Sequence, residues 1–390
     1  MKKISIVLPF LVMLSFAGIF DEADTAYREG AYQKAAKAYQ KLSDEGHFYA
    51  QCRLGDMYRK GKGVPQDHSK AFALYQAAAQ KDYVYAWHNL GGMYRRGWGT
   101  TKDLKKAAEY YQKAADKDYV PSIYVLAKLY EKGEGVPRDE AKAFSLYTLA
   151  AHKNYPAAYP ALGTMYFYGK GTPVNKQKAA EYYLRISHPS PSILYRLAGM
   201  YLNGEGVPQD KAKAVTLYTQ AAEAGYPIAW HKLATQYRKG DVLERDPAKA
   251  FALYRKAADA DYLPSIHMLA KMYAKGEGVE RDLKQAATLY QKAADRGYAV
   301  SMNALATMYR DGNDVEKDYE KAVALYNQAA QKGLGIADLN LGNLYYTGRG
   351  VDRDMKKAYT FWKNAAKAGV GSAQSNLDKF CSEETQSCRE

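Results

Sequence analysis

The 390-residue chain carries 56 basic and 42 acidic residues, a formal charge of +14, and 37 Tyr against 10 Phe. Its length admits two or three globular domains or one extended array, and the excess of Tyr and Ala points to a short pattern copied many times. The charge is spread along the chain with no polybasic block and no interleaved basic and aromatic motif. This argues against a nucleic-acid partner and leaves anionic partners such as acidic glycans open.

In chain order, Lys2 and Lys3 form a positive n-region and Ile4 to Leu14 an apolar stretch, with Ser15-Phe16-Ala17 supplying small residues at the cleavage positions. Residues 1–17 therefore read as a signal peptide. The apolar run is shorter than the ~20 residues a spanning helix needs. No Cys follows the cleavage site to take a lipid anchor, and no later segment reads as a transmembrane span. The expected location is periplasmic or secreted. Of the three Cys, Cys52 sits alone inside a helical pattern, while Cys381 and Cys388 lie in the polar tail 381–390 and can form a disulfide. No His or carboxylate cluster accompanies them at ligand spacing, so no metal is predicted, and no cofactor is predicted.

An aromatic preceded by Leu, Tyr or a similar residue and followed by small residues then recurs at Tyr39, Tyr75, Tyr111, Tyr147, Tyr183, Tyr218, Tyr254, Tyr290, Tyr326 and Trp362, at intervals of 36 residues with one of 35. A fixed period of this size predicts a solenoid. Each period holds two helical patterns. The first has a small residue, a Leu four later, then Gly or Ala, then an aromatic, as in Ala50, Leu54, Gly55 and Tyr58; these offsets share one helical face. The Gly or Ala after the Leu is expected to admit a neighbouring helix backbone. A Gly-x-Gly turn follows, for example Gly133 and Gly135, whose first Gly suits a left-handed C-cap. An Asp such as Asp139 then opens the second helix as its N-cap. Each Gly-x-Gly follows a helix and not a strand, so these glycines are turns and not a nucleotide site.

The unit Ala-x-x-x-Leu-Gly-x-Met-Tyr-x-x-Gly-x-Gly, then Asp, then Lys-Ala-x-x-x-Tyr-x-x-Ala-Ala, resembles the Sel1-like repeat, a relative of the tetratricopeptide repeat. The resemblance covers residues 45–380 in about nine copies. Residues 18–44, with Ala26-Tyr27, Gly30 and Ala35-Ala36, resemble a tetratricopeptide unit and are expected to cap the array. The resemblance implies an all-α fold, a right-handed α-solenoid superhelix of helix-turn-helix repeats with the first helices on the concave side. It also implies adaptor work in protein complexes, including periplasmic export and envelope machinery.

Two prolines, Pro189 and Pro191, interrupt the pattern near 185–192. This joint reads either as a hinge or as a deletion absorbed by a loop. On each first helix the residues two before the Leu, two after it, and five or six after it are expected to lie opposite the core stripe. The first set is His88, Tyr124, Tyr195, His231 and His267. The second includes Arg59, Lys60, Arg95, Arg96, Lys132, Phe167, Tyr168, Arg238, Lys239, Lys275, Arg310 and Tyr346. Basic residues also favour the last turn of any helix. Trp98, between two turn glycines, is a further candidate contact.

No nucleophile–base pair or carboxylate constellation stands out, so the chain is not expected to be an enzyme. The leading expectation is a periplasmic scaffold for protein partners in an envelope or exopolysaccharide-export assembly. Alternatives are an anionic polysaccharide bound along the basic-aromatic ribbon, and a secreted effector that binds host proteins.

Overall fold

The recurring Leu, Ala and aromatic residues form the dry side of successive helix hairpins. The computed structural model describes residues 7–383 apart from residue 314, with side chains from 18 to 380. The Cys381–Cys388 pairing and most of the signal-peptide reading lie outside the described side chains.

The chain divides into two compact units, and the division at Pro189/Ser190 falls inside the irregular segment 185–192. The first unit runs to Pro189 and includes Gly204–Pro208. Its helices pair as α1 (Val7–Arg28) with α2 (Tyr32–Asp44), α3 (Phe48–Lys60) with α4 (His68–Ala79), and α5 (Val84–Arg96) with α6 (Leu104–Asp116). Then come α7 (Val120–Lys132) with α8 (Glu140–His152), and α9 (Tyr159–Tyr168) with α10 (Lys176–Leu184). The α1/α2 pair occupies the position expected of the cap, and α1 continues across the predicted cleavage point.

The second unit pairs α11 (Pro191–Asn203) with α12 (Lys211–Glu223), and α13 (Pro227–Lys239) with α14 (Pro247–Asp259). It continues with α15 (Leu263–Lys275) and α16 (Leu283–Asp295), then α17 (Ala299–Asp311) and α18 (Tyr319–Gln331). The last pair, α19 (Gly335–Thr347) with α20 (Met355–Lys367), is covered by α21 (Gly371–Glu383). All described regular structure is helical, and the fold is an α-solenoid. No helix among the described residues is long and apolar enough to cross a membrane.

Each second helix from α4 to α20 starts on a capping side chain. Asp67, Asp103, Asp139, Asp210, Asp246, Asp282, Asp318 and Asp354 each accept the backbone N–H three residues on, and Asn175 does the same for α10. The capping residue's own N–H bonds back to the carbonyl of the first-helix Tyr, as Asp139 does to Tyr130 at 2.9 Å. The turn is thus closed from both ends.

The two turn glycines differ in purpose. Gly133 caps α7 at φ +72°, as its sequence position predicts. Gly135 has φ +74°, and a Cβ there would overlap the Leu104 carbonyl at the start of α6. The second glycine therefore lets one repeat's turn lie on the preceding repeat's second helix. The glycine after each Leu also has a purpose other than the expected one. A Cβ on Gly163 would stand 2.5 Å from the Tyr183 ring, so this glycine admits the aromatic anchor of its own repeat and not a neighbouring backbone.

Gly135→Ala should lower stability by about 3 kcal/mol or more, since it combines a left-handed backbone with overlap on a carbonyl. Gly333→Ala, at φ +83° with open space around it, should cost only about 1 kcal/mol; denaturant unfolding separates the two. Gln236 stands where other repeats place Met or Leu, is 7% exposed, and leaves Oε1 without a partner. Gln236→Met should therefore stabilise the chain by about 1 kcal/mol or more, visible as a raised Tm.

Candidate partner-binding face

The second-helix aromatic crosses the core of its repeat and places its polar tip against the first helix. Tyr75 donates to Asp56 at 2.7 Å, and Tyr147 donates to Glu131 at 2.7 Å. The hydroxyls of Tyr254 and Tyr326 lie 2.9 Å from Thr235 and Thr307, and Trp362 Nε1 donates to Asn343 at 3.0 Å. Burial, together with the neighbouring carboxylates, drives the Tyr75 and Tyr147 hydroxyls well above the usual phenol range. They are neutral donors at any physiological pH.

Asp56 is the centre of a buried polar cluster. It is 3% exposed and also accepts from Tyr85 at 2.7 Å and Arg59 Nη2 at 3.1 Å. In the capping pair Asp24 does equivalent work, accepting from Tyr39 and Tyr49 beside Arg53. The sequence places the register of Asp56, two after the Leu, opposite the core, and its burial against the tip of Tyr75 corrects that expectation; sequence reasoning passes over Asp24. The available signal was an Asp two residues after the stripe Leu, in a register otherwise filled by Gly, Lys, Thr and Asn.

The candidates two before the Leu lie in the seam between consecutive first helices, not on an open ribbon. His88 packs between Tyr111 at 5.4 Å and Tyr119 at 5.2 Å. Tyr124 packs between Tyr147 and Tyr155, Tyr195 between Tyr218 and Tyr226, His231 between Tyr254 and Tyr262, and His267 between Tyr290 and Tyr298. Each seam ring thus joins the aromatic anchor of its own repeat to the Tyr that precedes the next first helix. The three imidazoles also meet a serine on that next helix: His88 Nδ1 lies 2.8 Å from Ser122 Oγ, His231 2.8 Å from Ser265, and His267 3.0 Å from Ser301. His at one position and Ser 34 residues later occur together in these three repeats, a pairing legible in the sequence but overlooked.

The last-turn candidates differ in how far neighbouring side chains cover them. Arg59 is committed to Asp56 and Tyr75. Arg310 pairs with Asp311 at 2.7 Å, Arg238 lies 3.7 Å from Glu277, and Phe167 is covered by Lys176 Nζ at 3.2 Å. Tyr346 packs on Trp362 at 5.3 Å. Trp98 is not a bare contact: it stacks on His68 at 4.7 Å and lies under Arg96 at 4.6 Å. Lys60, Arg96, Lys132, Lys239 and Lys275 are exposed, Arg95 is half-buried, and Tyr168 is 52% exposed. In the first unit the exposed set is thus Lys60, Arg96, Lys132 and Tyr168; Lys132 also lies 3.7 Å from Glu134, Tyr168 packs on Phe167 at 4.9 Å, and half-buried Arg95 bonds the Tyr111 hydroxyl. Among the described residues no three His, Cys, Asp or Glu side chains form a group that could hold a metal ion.

The same framework recurs as a family. Nine successive segments match the Sel1 repeat, from 48–83 through 156–187 and 192–226 to 335–370. The chain belongs to the Sel1 repeat family. A crystal structure of a protective antigen present in uropathogenic Escherichia coli strains, displaying an SLR fold, is 31% identical over 97% of this chain and 82% of that one, with a TM-score of 0.81. A Sel1 repeat protein from Oxalobacter formigenes is 25% identical over 88% of this chain and 89% of its own, with a TM-score of 0.43. No curated protein matches the chain. Sel1 repeat solenoids are in general scaffolds for protein–protein interaction, and the family's repeats end at 370, so α21 is a terminal addition that covers the last Sel1 pair.

Burial, reinforced by nearby cations, holds the three seam imidazoles down at about 4, against about 6.5 in an unfolded chain. The unfolded chain thus takes up protons first as pH falls. Their contribution is complete above about pH 6.5 and is lost as pH falls through about 4. A chain carrying His88→Gln, His231→Gln and His267→Gln should show a shallower fall in Tm between pH 7 and pH 4 than the wild type, measured by scanning calorimetry.

Proposed function

We propose that this chain is an exported, non-catalytic scaffold that binds protein partners of the cell envelope through the last turns of its first helices. The observation that carries this reading is the contrast between framework and open positions. Rings, caps and turn glycines repeat from unit to unit, whereas Lys60, Arg96, Lys132 and Tyr168 vary and lie exposed on one register, six residues after the Leu. A stiff frame presenting variable cations and an aromatic is suited to a partner with acidic and apolar surface. The N-terminal Lys2, Lys3 and apolar stretch support export. So does the likeness to a protective antigen, a kind of protein that the immune system must reach.

Charge reversal tests the face. The variant Lys60→Glu/Arg96→Glu/Lys132→Glu, at exposed positions, should fold normally and lose about tenfold or more in affinity for any envelope protein that the wild type captures. Unchanged capture would exclude this register. A basic-aromatic face also supports a second reading, an anionic glycan. In that case the wild type should bind uronic-acid oligosaccharides with an affinity that falls steeply as salt rises.

A further inference from the structure

Three first-helix Tyr rings have an edge contact that comes from the preceding repeat, where the register otherwise holds Ala or Val, as at Ala108, Ala180 and Val215. Phe72 meets Tyr94 edge-on at 5.3 Å and 85°, Phe144 meets Tyr166 at 5.1 Å and 90°, and Phe251 meets Tyr273 at 5.2 Å and 87°. The register position between Phe72 and Phe144 is Ala108, 36 residues from each. There the ring is missing, and a groove of about 570 Å³ opens between α6, α7 and the following turn. Ala108, Leu126 and Tyr130 line it, with Val136 and Pro137 on the turn side.

Tyr130 is held in place from elsewhere. Lys142 Nζ sits 4.2 Å from its ring centroid and donates to its hydroxyl at 2.6 Å. The groove therefore offers a fixed aromatic wall without the Phe edge that three sister repeats supply. The corresponding gap at Ala287 and Tyr309 in the second unit is lined by Thr288, Gln291, Lys292 and Asp295, so it lacks this apolar character. The rim at Ala108 carries Lys105 and Lys113, both exposed, against the single carboxylate of Glu109.

We propose that the groove at Ala108 and Tyr130 is a docking socket for an aromatic side chain, Phe above all, carried on an acidic segment of a partner protein. The shape is that of a ring which sister repeats supply from within the chain. The lysine rim complements carboxylates beside that ring. An incoming Phe would meet Tyr130 edge to face, the arrangement already seen at Tyr94, Tyr166 and Tyr273. The socket is separate from the first-helix face, so either can fail without the other.

Fluorescence anisotropy with the labelled peptide acetyl-Asp-Glu-Phe-Glu-Asp-amide tests the proposal. The wild type should bind it, and the same peptide with Ala in place of Phe should bind about tenfold more weakly or worse. Ala108→Phe, which supplies the sister repeats' own ring, should abolish binding while keeping or raising Tm. The surface variant Lys105→Glu/Lys113→Glu should weaken binding without changing Tm. No binding by the wild type, equal binding of the Ala peptide, or undiminished binding by Ala108→Phe would each overturn the socket. Undiminished binding by the lysine variant would overturn the acidic partner. None of these outcomes bears on charge reversal at Lys60, Arg96 and Lys132, which tests the other face.

Discussion

The repeat depends on one demand: a large aromatic side chain must cross each core and still satisfy a polar tip. A buried Tyr removes roughly 150–250 Å² from water, about 4–6 kcal/mol of gross apolar transfer, but an unbonded hydroxyl inside would offset much of it. The first helix resolves the conflict two residues after its Leu. Asp56, Thr164, Thr235, Thr307 and Asn343 meet the tips of Tyr75, Tyr183, Tyr254, Tyr326 and Trp362. The Gly or Ala one residue earlier follows from the same ring, since a larger side chain would collide with its face. Several features of the repeat are therefore consequences of the anchor.

The anchor also explains why the repeats stack. A ring two before the Leu touches the anchor of its own repeat and the Tyr at the start of the next, so five repeats carry a three-ring ladder across their seams. The second turn glycine provides the other link, letting the turn after α7 rest on the start of α6. Together they give the nearest-neighbour coupling on which a solenoid's stability rests. They also account for a Tyr content far above that of Phe: seam rings are half-buried, and a Tyr has a polar tip to present.

Periodicity made the architecture readable, because helix faces, caps and turns are local and each signal was repeated up to ten times. Asp139 as an N-cap and Gly133 as a C-cap needed only the residues around them. The seam was harder to read. His88 depends on Ser122, and Gly135 on the backbone of Leu104, partners some thirty residues away in another repeat. Helical phase alone places His88 opposite the core stripe of its own helix, which is right for an isolated hairpin. A second hairpin against that side turns the position into packing. Asp56 was missed for the opposite reason, since a lone acid among Thr, Gly and Lys reads as surface until the tip of Tyr75 is seen to arrive there.

Linked variation can be set apart from free variation on this basis. Where a seam position changes, something across the seam changes with it: Ser122, Ser265 and Ser301 replace the usual small apolar residue only where His88, His231 and His267 precede them. At the last turn of the first helices, Arg95 and Arg96 give way to Phe167 and Tyr168, then to Leu202 and Asn203, with the Tyr anchors unchanged and a capping Asp or Asn kept. Ala108 in place of Phe is a third kind of change, in which the Tyr130 wall remains and its edge partner is removed. Packing demands explain the first kind, because each residue there answers another residue of the chain. The second and third kinds change without a matching change across the seam, and positions that vary in that way are the ones a partner can exploit.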